Sequence, residues 1–162
     1  MTKVTHNILF KLISILMFLS MYLSSCSESK PPDFEIYNGS PGYVSDLRGK
    51  WVVINYWADW CPPCIKEMPE LSSFYRNNKN DVYVFAFNFD QLEGEELQEQ
   101  IVRFKVNVPS LLTDPGELFN WEVPEGLPAT YIIDPEGKTR EKLIGPQTER
   151  SLVELIRKLK TD

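Results

Sequence analysis

Trp51-Val52-Val53-Ile54-Asn55-Tyr56-Trp57-Ala58-Asp59-Trp60-Cys61-Pro62-Pro63-Cys64 is the stretch on which the fold turns. Residues 51 to 57 are nearly all apolar and do not alternate, the pattern of a central strand covered on both faces. Two cysteines two residues apart follow at a strand-to-helix turn, where they can close a small, reversible disulfide. A zinc site would need two more ligands. The remaining candidates, Cys26 and His6, both lie near the N-terminus.

Residues 1–25 carry Lys3 and Lys11, then the apolar run Leu12-Ile13-Ser14-Ile15-Leu16-Met17-Phe18-Leu19, and end at Leu23-Ser24-Ser25 before Cys26. That is the layout of an export leader, and the apolar part falls short of the roughly 20 residues a spanning helix prefers. The ending Leu-Ser-Ser-Cys resembles a bacterial lipobox, which implies cleavage before Cys26 and lipid attachment to its sulfur. The alternative is an uncleaved signal anchor with Cys26 as a bystander. Either way the rest of the chain is expected outside the cytoplasm, facing the periplasm, where an unattended dithiol oxidises. Residues 26–33 then form a polar tether and 34–162 a single domain. Of the 162 residues about 137 remain after cleavage, enough for one core. All 23 acidic residues but only 15 of the 17 Lys and Arg lie beyond residue 25, so the mature formal charge is about −8 and nucleic acid is excluded as a partner.

Outward from the cysteines, Phe34-Glu35-Ile36-Tyr37 alternates and stops at Asn38-Gly39, as an edge hairpin would. From Cys61 a helix is expected, with Cys64, Met68, Leu71 and Tyr75 on its buried stripe and Pro69 bending it. Val82 to Phe87 reads as a second strand, parallel to the first because a helix lies between them. A second helix buries Leu97, Ile101 and Phe104. Its approach carries Asp90, Glu93, Glu95, Glu96 and Glu99, either a solvated face or a docking patch for a basic partner. Asp114 to Trp121 can form a short helix. Ala129 to Asp134 and Lys138 to Ile144 read as an antiparallel hairpin, and Thr148 caps a last helix striped by Leu152, Leu155, Ile156 and Leu159. The order gives an α/β fold, a mixed sheet with helices on both faces.

The motif Trp57 to Cys64, Pro69, and Gly126-Leu127-Pro128-Ala129-Thr130 before a late strand together resemble the thioredoxin superfamily. More narrowly, the chain resembles the membrane-anchored thiol-disulfide reductases of TlpA/ResA type, with Asn55 before the motif, Glu67 three residues after the second cysteine, and an added central segment at roughly Asp90 to Arg103. The resemblance spans about Phe34 to Leu159. It implies a thioredoxin-like mixed sheet with an N-terminal β extension and a central insert, a cis proline at Pro128 beside the disulfide, and a loop there that grips substrate backbone. It also implies disulfide-bearing exported proteins as substrates, apocytochrome c first among them, a transmembrane thiol electron donor of DsbD/CcdA type, and no cofactor or metal. The chain departs from oxidising relatives in having Pro62-Pro63 where those usually carry a His. It also lacks the Pro-x-x-x-Thr-x-x-Cys setting of a peroxidatic cysteine.

Cys61 opens the helix, exposed, where unpaired amides and the macrodipole favour a thiolate, so it is expected to attack. Cys64, one turn in, is expected to resolve the mixed disulfide. A static structural bridge is the alternative, but so small a loop would stabilise little. Glu67 is a candidate proton acceptor for Cys64, or else a surface carboxylate. Trp57 and Trp60 are expected to pack and to form a platform. Trp60, Pro62, Pro63, Leu127 and Pro128 are expected to meet substrate. Asn55 is either a satisfied polar group or part of the proton network. The expected activity is reduction through Cys61 and Cys64, with a disulfide oxidant or isomerase, or a non-catalytic binding lipoprotein, as rivals.

Overall fold

In the computed structural model of the chain, residues 30–161 are described. The leader 1–25, Cys26 and residues 27–29 of the tether lie outside them. β1 (Trp51–Trp57) is buried at every position, as its unalternating apolar sequence predicts. It is the middle strand of a five-stranded sheet. β2 (Val82–Asn88) runs parallel to β1, and β4 (Ala129–Ile133) pairs antiparallel with its other edge, Asn55 opposite Thr130. β5 (Thr139–Ile144) pairs antiparallel with β4, and β3 (Ser110–Leu111) runs parallel to β2.

Alternate residues of β1 feed two cores. Trp51, Val53 and Trp57 join one that holds Leu71 and Phe74 of α1 (Pro62–Asn78), Leu97 of α2 (Gly94–Phe104), and Leu152 and Ile156 of α4 (Glu149–Leu159). Val52, Ile54 and Tyr56 join the other. The helical cover of that second face is light: a 3-10 turn at Val44–Leu47 and the short α3 (Pro115–Phe119). Aromatics complete it, with Trp121 stacked on Phe119 at 5.1 Å and on Tyr131 at 4.1 Å.

Two expectations are corrected. The N-terminal segment forms no hairpin strand; it makes single antiparallel bridges, Phe34 to Gly42 and Ile36 to Leu111. It also lies along β3, with Tyr37 N–H donating to Ser110 O at 2.8 Å and Leu112 N–H to Glu35 O at 2.9 Å. Gly42 is required for this, since a Cβ there would stand 2.5 Å from the Phe34 ring. β3 itself has no forerunner in the sequence reading. In α1 the buried positions are Cys64, Glu67, Met68, Leu71, Ser72 and Phe74, so Phe74 rather than the half-buried Tyr75 completes the stripe. The helix runs on through Pro69, which faces solvent.

Candidate active site

β1 delivers Ala58 to Trp60 to the start of α1, and Cys61 is the N-cap of that helix in extended backbone. Pro62 and Pro63 follow at the first helical positions, where a missing amide hydrogen costs no helical bond. Cys61 and Cys64 are joined by a disulfide with Cα atoms 5.3 Å apart. Cys61 Sγ accepts from the Cys64 N–H at 3.3 Å. Cys61 is not freely exposed as expected: it is 4% accessible and Cys64 0%, so the small access to the bridge lies at Cys61. Pro62, Pro63 and Trp60 around it are exposed.

Three residues after Cys64 on the same helix, Glu67 is buried at 2% exposure; it is no surface carboxylate. Its Oε1 accepts the backbone N–H of Gln147 at 3.0 Å and its Oε2 the side-chain amide of Asn55 at 3.3 Å. Burial pushes its pKa from 4.5 up to about 7, against the two donors, which pull it down. Asn55, fully buried, also donates to Thr130 Oγ1 at 3.0 Å, while its own Oδ1 has no partner. Asn55 is therefore both a satisfied donor and a neighbour of the titrating group.

The Leu127–Pro128 bond is cis. Pro128 is buried and Leu127 half-buried. Pro128 O accepts the Gly145 N–H at 2.8 Å, so the Gly145 to Gln147 turn joins the proline loop to Glu67. The two tryptophans divide. Trp57 is wholly buried, edge-on to Phe104 at 6.2 Å, whereas Trp60 is 58% exposed and donates its indole N–H to Asp90 at 2.8 Å. Sequence reasoning missed Gln147, whose contribution is a backbone amide and leaves no side-chain signal. It also missed the individual role of Asp90, hidden in a run of acids.

A disulfide at the mouth of a helix, over a thioredoxin-like sheet and beside a buried acid, defines a thiol-disulfide oxidoreductase. The chain belongs to the AhpC/TSA family, whose model matches residues 28–142. It is 34% identical over 136 residues to the thiol-disulfide oxidoreductase ResA of Bacillus subtilis (strain 168), an alignment covering 82% of this chain and 75% of that one. To ResA of Bacillus cereus (strain ATCC 10987 / NRS 248) it is 27% identical over 169 residues, 95% of this chain and 97% of the relative. The crystal structure of StoA from Bacillus subtilis superposes with a TM-score of 0.60 at 25% identity, covering 76% of this chain and 96% of that structure.

Proposed function

We propose that this protein reduces disulfides in exported proteins, held at the periplasmic face of the cell envelope by lipid on Cys26. The Cys61 thiolate attacks one sulfur of a substrate disulfide, forming a mixed disulfide and expelling a substrate thiolate. Cys64 gives its proton to Glu67 and attacks Cys61, closing the 61–64 bridge and releasing the second substrate thiolate. Two electrons pass from the dithiol to the substrate. A transmembrane thiol donor of DsbD/CcdA type restores them. Trp60, Pro62 and Pro63 flank the attacking sulfur of Cys61, and the Leu127–Pro128 loop offers backbone to the substrate. Apocytochrome c, with paired cysteines, fits this chemistry.

The observation that carries the direction of transfer is the poverty of donors at Cys61. Pro62 and Pro63 have no amide hydrogen, and among the described residues the Cys64 N–H is the one donor to Cys61 Sγ. A thiolate with little stabilisation gives a reducing couple. Redox equilibration against glutathione or dithiothreitol is expected to give a potential near that of thioredoxin, about −270 mV, and a value above about −180 mV would overturn the proposal. Pro63→His returns an amide and adds a partial positive charge, and should raise the potential by about 30 mV for each tenfold gain in the reduced form's equilibrium weight.

The anchor is tested separately. Metabolic labelling with a fatty-acid probe is expected to mark the wild type and not Cys26→Ser. A membrane-bound wild type without label would point to an uncleaved leader instead.

A further inference from the structure

Trp60 is the large exposed side chain next to the reactive bridge, yet its indole is fastened from two sides by a single loop. Its N–H donates to Asp90 Oδ2 at 2.8 Å, and its ring stands edge-on to Phe89 with centroids 6.0 Å apart. That loop is itself braced. Asn88, buried at the end of β2, accepts through Oδ1 from the N–H groups of Asp90 at 3.1 Å and Leu92 at 3.4 Å. Its amide donates to Gln100 Oε1 of α2 at 3.0 Å, and the Phe89 N–H donates to Trp57 O at 2.8 Å. The start of the central insert thus forms a rigid chain from α2 through Asn88 and Asp90 to the indole.

We infer that Asp90 is a positioning residue which locks Trp60 in the orientation that receives a polypeptide disulfide. An exposed tryptophan without this bond rotates about two torsions, and a substrate that lies across it must order it on binding. That cost falls on affinity for a chain long enough to touch the indole and not on sulfur exchange at Cys61. The inference rests on the reading of Trp60 as part of the substrate surface, and it assigns one task to the insert: to hold that surface still.

The test compares insulin, a polypeptide disulfide, with oxidised glutathione, using wild type, Asp90→Ala, Asp90→Asn and Trp60→Ala. Asp90→Ala should raise KM for insulin by roughly 3- to 10-fold with kcat little changed, the cost of ordering one side chain. The kcat/KM for glutathione should fall by much less. Asp90→Asn, which keeps an acceptor oxygen but no charge, should restore most of the insulin affinity, and Asp90→Ala should add nothing to Trp60→Ala. If Asp90→Asn loses as much insulin affinity as Asp90→Ala, Asp90 acts through its charge, and if neither loses any it has no such role; either result overturns the inference. Equal effects on both substrates, or additivity with Trp60→Ala, overturn it as well. A second readout is independent of turnover: the Trp60 indole N–H resonance should keep its exchange protection in Asp90→Asn and lose it in Asp90→Ala. No change there removes the bond itself. A protected indole in a wild type that cannot reduce insulin would instead count against the reductase reading.

Discussion

Glu67 is a carboxylate that folding has made ambivalent about its charge. Two donors favour the ionised form and burial opposes it, and burial prevails, leaving a pKa of about 7. Asn55, whose amide donates to Glu67 and Thr130, is one of the groups that pull the value down. The native pKa lies above the ordinary 4.5, so the stability tied to the protonated form is full below about pH 4.5 and is lost as pH rises through about 7. That shift corresponds to at most about 3 kcal/mol. Urea titrations at pH 5 and pH 8 should therefore show the wild type losing stability relative to Glu67→Gln. The same substitution should slow the resolving step on the order of 100-fold and erase the limb of its pH profile near 7, read by single-turnover release of reduced substrate. If the limb survives, another group takes the proton. The i,i+3 spacing placed Glu67 beside Cys64, but its burial was not legible: the turn that covers it arrives with Gln147, 80 residues later.

Elements whose cause is local could be read from the chain, and those made by a distant partner could not. β1 announces itself through a run in which every residue but Asn55 is apolar. α1 opens on Pro62-Pro63, and α4 is set by Thr148, whose side chain accepts from Ser151 N–H while Ser151 Oγ accepts from Thr148 N–H. β3 has no such signal. Its two residues count as strand because β2 lends them an edge, and the N-terminal segment, about 75 residues away in sequence, takes the other side. The alternation of Phe34 to Tyr37 was real, yet it reflects one bridge to Gly42 and one to Leu111 rather than a strand pair of its own. In α2 Leu97 is sealed while Ile101 and Phe104 are half-buried, because that helix lies at the margin of its core. The acidic residues before it and along it looked alike in sequence. Only the meeting of Asp90 with Trp60, 30 residues apart, separates one of them from the rest.

At the scale of the whole molecule, redox state and stability are two sides of one thermodynamic cycle. The folded dithiol is more reducing than the unfolded one only if the oxidised protein is the more stable of the two, and a strong oxidant inverts that order by stabilising its reduced form. Two features here favour the oxidised fold. The helix start offers the Cys61 thiolate little, since Pro62 and Pro63 withhold their amides, and a buried carboxylate at Glu67 would oppose further negative charge nearby. Closing even so short a loop removes some chain entropy from the unfolded state, at the low end for a disulfide, about 2 kcal/mol. For a domain whose total stability is on the order of 5–15 kcal/mol, that is a measurable fraction. Urea unfolding at pH 7 should thus give the disulfide form a midpoint higher than the dithiol form by roughly 1 M, using a slope of about 2 kcal/mol per molar. Parallel curves on the oxidised protein and on protein kept reduced with excess dithiothreitol make the comparison. A dithiol form that outlasts the disulfide form would mean that folding stabilises the thiolate after all, and the electrons would then be expected to run from substrate to protein.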